Sequence, residues 1–155
     1  MKEKFTTEEW GLLKLLPFHV FLLVAGADKN VDKEEIAQFD AEIKGAPFYK
    51  DPLHREIALD ILTSDVGDLL RQAMDVSRFA ERMTRMKTVL QTKLTHDEYQ
   101  RFVGSLFING LKIARASGGG PLGMGDKVSQ EEKVALAALA TMFELDVNTI
   151  AKNFG

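Results

Sequence analysis

The chain holds 155 residues, 45% of them hydrophobic and 28% charged, which is the make-up of an ordinary globular protein and the length of one domain. Its formal charge of −3 gives no general attraction to nucleic acid or to an anionic membrane. The absence of cysteine excludes disulfides, thiolate metal sites and cysteine nucleophiles, and suits a reducing compartment.

Apolar residues recur with the helical period and nowhere alternate for long, so every element reads as a helix. "TTEEWGLLKLL" opens the first, with Thr6 and Glu9 in capping-box spacing. Pro17 lacks an N–H, so it should end that helix near Leu16 and sit in the first turn of a buried one reaching about Ala27. The apolar run Leu15–Ala27 falls short of the ~20 residues that a membrane span needs. The leader "MKEKFTTEEW" mixes both signs of charge, unlike a signal peptide, and a cytoplasmic chain without a targeting segment is expected.

"VDKEEIAQFDAEIK" should form the next helix, with Ile36, Phe39 and Ile43 on one face and Gly45 and Pro47 as its stop. Asp51 and Pro52 open "DPLHREIALDILTS", and a short helix is expected near 65–73. "DVSRFAERMTRMKTVLQTK" aligns Phe79, Met83, Met86 and Leu90 on a core stripe, and Thr95 and Glu98 box the start of the longest helix, "THDEYQRFVGSLFINGLKIARA". "SQEEKVALAALATMFE" and a short "DVNTIAKNF" complete the chain. The expectation is therefore an all-α, single-domain bundle of seven to eight helices over residues 1–155, with a flexible Gly-rich loop at 117–125. That loop is no phosphate cradle. Gly118 and Gly123 have the spacing of a Walker loop, but Met124 stands where its lysine belongs and no strand precedes it.

Two acidic turns carry the best clue to function: "AGADKNVDKEE" at Ala25–Glu35 and a looser copy, "GMGDKVSQEE", at Gly123–Glu132. Asp28, Asn30 and Asp32 fit positions 1, 3 and 5 of a calcium loop, but Lys33 replaces its glycine and Phe39 its bidentate glutamate, so this is not an EF-hand. Asp32 with Glu35, and Ser129 with Glu132, have the spacing of helix caps, which leaves Asp28 and Asp126 without that explanation. If the two turns approach each other, Asp28, Asp32, Glu35, Asp126 and Glu132 form one oxygen-rich pocket for a divalent cation of the Ca²⁺ or Mg²⁺ kind; if they do not, they are independent caps.

This placement resembles the TerB-like domain of tellurite-resistance and related stress proteins. Its members end a helix in A-x-A-D-G, start the next with a Glu, and repeat the pattern near the C-terminus. The matches here are "AGADKNVDKEE" and "ASGGGPLGMGDKVSQEEKVALAALATMFEL", with Lys29 and Lys127 in place of the family's glycine after Asp. The resemblance implies pseudo-symmetric helical halves, an acidic metal-binding patch, and a non-enzymatic interaction or sensor role among the proteins of a stress-response complex, often peripheral to a membrane.

The other residues suggest less. His19, His54 and His96 share no metal-ligand spacing; His19 should be a packed, hydrogen-bonded core or boundary residue, and His54 and His96, near helix starts, should be exposed. "VGSLF" at Ser105 lacks the second glycine of a nucleophile elbow. Arg78, Arg82 and Arg85 make a basic stripe suited to an acidic partner, nucleic acid or a membrane surface, or to nothing more than solvent. A metal-dependent enzyme using the same carboxylates is the rival reading, for which the chain shows no substrate pocket of its own.

Overall fold

The computed structural model describes residues 1–26, 32–117, 128–146 and 148. Among these it contains eight α-helices and no strand: α1 (Thr7–Leu13), α2 (Leu16–Ala25), α3 (Lys33–Lys44), α4 (Pro52–Leu62), α5 (Val66–Ala73), α6 (Phe79–Lys93), α7 (His96–Ser117) and α8 (Gln130–Met142). The all-α expectation holds. The expected last helix and residues 118–125 of the Gly-rich loop lie outside the described residues.

The helix starts follow the chemistry read from the sequence. Thr6, Asp32 and Ser129 each accept a bond from the backbone N–H three residues on, and Glu9, Glu35 and Glu132 reach back to the N–H of the cap. Thr95 and Glu98 exchange the same two bonds at the start of α7. Pro17 stands in the first turn of α2, where its missing N–H would have had no helical partner anyway. The end of α8 is less ordinary. Glu144 adopts φ 52, a left-handed conformation usually left to glycine, and the bonds Leu145 N–H to Ala140 O and Glu144 N–H to Thr141 O close a Schellman motif. Helix α7 holds this corner: Tyr99 Oη donates to Phe143 O at 2.7 Å and Gln100 Nε2 to Glu144 O at 2.9 Å.

Two helix pairs share one plan, a buried apolar helix followed by a capping-box helix: α2 then α3, and α7 then α8. They pack crosswise, with α3 lying on α7 and α8 on both α2 and α7. The Met83, Met86 and Leu90 stripe of α6 joins Leu53, Ile57 and Ile61 of α4 in the main core, as its spacing predicted. A smaller cluster of Phe21, Val24, Ile113 and Leu136 lies where α2, α7 and α8 meet.

The face of α3 differs from expectation. Phe39 packs against the rings of Phe18 and Phe21 at 5.2 and 4.6 Å, and the buried arc extends from it toward Glu35 and Glu42. Ile36 falls at the other edge of that arc and is 52% exposed, whereas Glu35 is fully buried. His54 likewise corrects an expectation: it is fully buried, because the start of α4 packs onto α7.

Gly110 sets how closely α2, α7 and α8 approach. A Cβ there would stand 3.2 Å from Val20 and 3.4 Å from both Val24 and Leu136. Gly110→Val should therefore lower stability by about 1–3 kcal/mol through overpacking. Gly11, mid-way along α1, has open space around its Cβ, so Gly11→Ala should raise stability by about 0.5–1 kcal/mol. Urea midpoints of the two variants against the parent would check both signs.

Candidate acidic site

The crosswise packing buries the starts of α3 and α8, with Glu35 and Glu132 both removed from solvent. They lie close enough that the Glu132 carboxyl raises that of Glu35. The two capping boxes that recur along the chain thus meet in space at their glutamates. At each, one carboxyl oxygen is committed to its own cap: Glu35 Oε2 accepts from Asp32 N–H at 3.0 Å, and Glu132 Oε2 from Ser129 N–H at 2.9 Å. Glu35 Oε1 is buried with no donor among the described residues.

A buried carboxylate oxygen with no donor is costly, and the ionised form bears the cost. The Glu35 carboxyl is accordingly raised from its ordinary 4.5 to about 7, first by burial and then by the negative charges of Asp32 and Glu132, against the opposing pull of the Asp32 N–H bond. Two species can satisfy Oε1: a proton, or a cation. Asp32 stands beside the pair, with Oδ1 accepting from Glu35 N–H at 2.8 Å. Asp28 and Asp126, the other two candidate ligands, lie outside the described residues. Among the described residues no group of three His, Cys, Asp or Glu side chains is placed to hold a metal ion.

A second buried polar cluster escaped sequence reasoning. His54 Nδ1 lies 2.6 Å from Ser105 Oγ, Asn109 Nδ2 donates to Tyr49 Oη at 2.8 Å, and Tyr49 Oη donates to Glu42 O at 2.5 Å. The Tyr49 ring covers His54 at 4.4 Å. This is a serine beside a histidine, but not a nucleophile beside its base. Burial, and then the charge of Lys112, lower His54 to about 3, and the cavity beside Asn109 holds only about 10 Å³. The cluster pins α4 to α7. Its only sequence signal was the pair of polar residues Ser105 and Asn109, one helical turn apart on an apolar helix. His19 is buried as expected, its ring edge-on to Phe79 at 5.2 Å, but the expected hydrogen bond is missing: neither ring nitrogen has a partner among the described residues, and burial and then the Arg82 charge hold it near 4.

Arg78, Arg82 and Arg85 do not form an open stripe. Arg85 pairs with Glu8 at 2.9 Å, Arg82 Nη1 donates to Gln72 O at 2.5 Å, and all three line a cleft bounded by α1, α5 and α6. His96 is exposed at the start of α7. Among the described residues no helix is long and apolar enough to cross a membrane.

Compared with protein-family models, curated proteins and solved structures, the chain matches none of them. Function is therefore argued from the site alone.

The site has a pH signature. Because the folded-state value of Glu35 lies above its ordinary one, its contribution to stability is full below about pH 4.5 and is lost as pH rises through about 7. His19 and His54 act oppositely: their lowered values contribute stability above about 6.5 that is lost toward 4 and 3. Glu35→Gln keeps the capping geometry and removes the charge. Relative to the parent it should gain on the order of 1–3 kcal/mol between pH 4.5 and pH 8. Denaturant titrations of both proteins across that range would read the difference, with the histidine contributions cancelling.

Proposed function

We propose that the chain is a non-enzymatic, TerB-like interaction or sensor domain working within a stress-response complex, and that its signal is a divalent cation of the Ca²⁺ or Mg²⁺ kind held between the starts of α3 and α8. The observation that carries this reading is the buried Glu35 Oε1, which has no donor among the described residues and belongs to a carboxyl that feels the charge of Glu132. The donor set is all oxygen, which suits a hard cation. Glu35 and Glu132 would supply the central carboxylates, and Asp32 has a second oxygen to offer beside them. Asp28 and Asp126 are the sequence candidates for completing the shell.

A cation there would replace the repulsion of two buried carboxylates with attraction to both. Because α3 lies on α7 and α8 on α2, tying these two helix starts together would set the angle between the two helix pairs. Partner-binding surfaces on either pair would then depend on cation occupancy. The cation must also displace the proton that Glu35 holds up to about pH 7, so its affinity should rise with pH through that value.

Thermal melts and calorimetry with Ca²⁺, Mg²⁺, Mn²⁺ and Zn²⁺ at millimolar concentration, at pH 6 and pH 8, test the proposal. At least one of the four should stabilise the chain, by about 2.7 kcal/mol at 100 times its Kd, and more at pH 8 than at pH 6. Glu35→Gln should abolish the effect, while Glu9→Gln, in the capping box of α1, should leave it intact. No stabilisation by any of the four, or stabilisation undiminished in Glu35→Gln, would remove the cation from the reading.

A further inference from the structure

The cleft between α1, α5 and α6 encloses about 600 Å³, within the range of pockets that hold small molecules. Its apolar lining is Leu12, Leu15 and Leu69, of which Leu15 and Leu69 are buried at its base by the core. Its charged lining is formally balanced, Lys14, Arg78, Arg82 and Arg85 against Glu8, Asp65, Asp68 and Glu81. The two signs are engaged differently, and the difference decides what the cleft can take.

Most of the acids are committed locally. Glu8 pairs with Arg85 at 2.9 Å; Asp65 Oδ1 caps α5 by accepting from Asp68 N–H at 3.0 Å; Asp68 accepts from Gln72 Nε2 at 2.8 Å and pairs with Arg71 at 3.4 Å. Glu81 is exposed in the first turn of α6, where the helix dipole favours a negative charge. On the basic side, Lys14 Nζ donates to the neutral Ser64 Oγ at 3.1 Å, and its charge also helps lower the Asp60 carboxyl. Arg82 spends one N–H on the Gln72 carbonyl, which fixes its guanidinium at the wall, and the Arg78 guanidinium makes no hydrogen bond or ion pair among the described residues, although the charges of both arginines help lower the carboxyl of Asp75. A guanidinium carries five N–H donors in a rigid fork that matches the two oxygens of a carboxylate or phosphate. The donors left over in this cleft are therefore cationic and planar, and they stand above an apolar floor.

We propose that this cleft binds a small organic anion, its carboxylate or phosphate seated against Arg78 and Arg82 and its apolar body resting on Leu12, Leu15 and Leu69. The inference is independent of the cation reading and uses none of its residues. Closure around such a ligand would couple α5 to the α1–α6 pair, which Arg85 with Glu8 and Lys93 with Glu9 already hold together.

The test is an amide NMR titration with phenyl phosphate and, separately, benzoate, to 20 mM at constant ionic strength, with inorganic phosphate as the probe that lacks an apolar body. Saturable shifts confined to α1, α5 and the first turns of α6, stronger for the aromatic anions than for inorganic phosphate, are expected. The stronger of the two aromatic probes identifies the preferred head group. Arg78→Gln should weaken binding at least fivefold, and because that side chain is exposed and unpaired the variant carries the test even if Arg82→Gln fails to fold. Arg115→Gln, on α7, should change nothing. Linear, unsaturating shifts, shifts spread over all basic residues, or an affinity unchanged in Arg78→Gln would overturn the proposal. So would retention on heparin that 20 mM phenyl phosphate does not relieve, since that is the behaviour of an open polyanion-binding face.

Discussion

The crosswise packing of the two helix pairs buries Glu35 and Glu132 near one another, and burial together with the neighbouring negative charge raises the Glu35 carboxyl to about 7. Their position follows from local chemistry. A glutamate third in a helix turns its carboxyl back to the cap N–H, which holds it against the helix start instead of letting it extend into water. Once the helix start is itself buried, the carboxyl is buried with it. The capping boxes of α1 and α7 show the contrast: Glu9 and Glu98 cap in the same way, but they remain accessible and find Lys93 and Lys4 as partners. The same two backbone bonds thus give a routine cap at one pair of helices and a titratable, charge-sensitive junction at the other pair.

Much of this fold was legible in the sequence because it rests on short-range rules. Capping boxes, Pro17 in a first turn, Asp51 before Pro52 and the Met83–Met86–Leu90 stripe all involve residues within a few positions of one another. What was not legible depends on which face meets which neighbour. Ile36 belongs to the apolar stripe of α3 by periodicity, yet two phenylalanines of α2 capture Phe39 and the buried arc shifts toward the glutamates. His54 stands at a helix start, a place usually open to solvent, but this start is pressed against α7, where Ser105 satisfies its ring. Tertiary context overrode a correct local rule in both cases. The acidic site divides along the same line: the repeat of the boxes could be read from the chain, and the meeting of their glutamates could not.

The resemblance to TerB-like domains and the geometry of the site bear on different links of the argument. The resemblance rests on two short motifs and supplies an expectation of role. The geometry supplies a reason for the motif to occur twice, since one capping glutamate alone would find no second carboxyl to face. An oxygen-only donor set at such a junction discriminates little among hard cations, and the number of carboxylates that can approach would set the affinity. It also makes the junction responsive to protons in the range where cells work, because Glu35 titrates near neutrality. Cation and proton would compete for one oxygen, so a change in either would be felt at the starts of α3 and α8.

The arginines teach the converse lesson about reading charge from a helix. Spacing of i, i+4 and i+7 puts Arg78, Arg82 and Arg85 on one face, and an isolated helix would offer that face to any polyanion. In the bundle α6 stands beside α1 and α5, and the face becomes one wall of a concave site whose other walls carry their own carboxylates. Arg85 is neutralised by Glu8, and a long anionic surface approaching Arg78 would also meet Glu81 and Asp68. A compact anion brings less charge past the acids that line the same cleft than an extended polyanion would. Concavity and the pairing within the wall, more than the number of arginines, therefore determine the size of anion this face can accept.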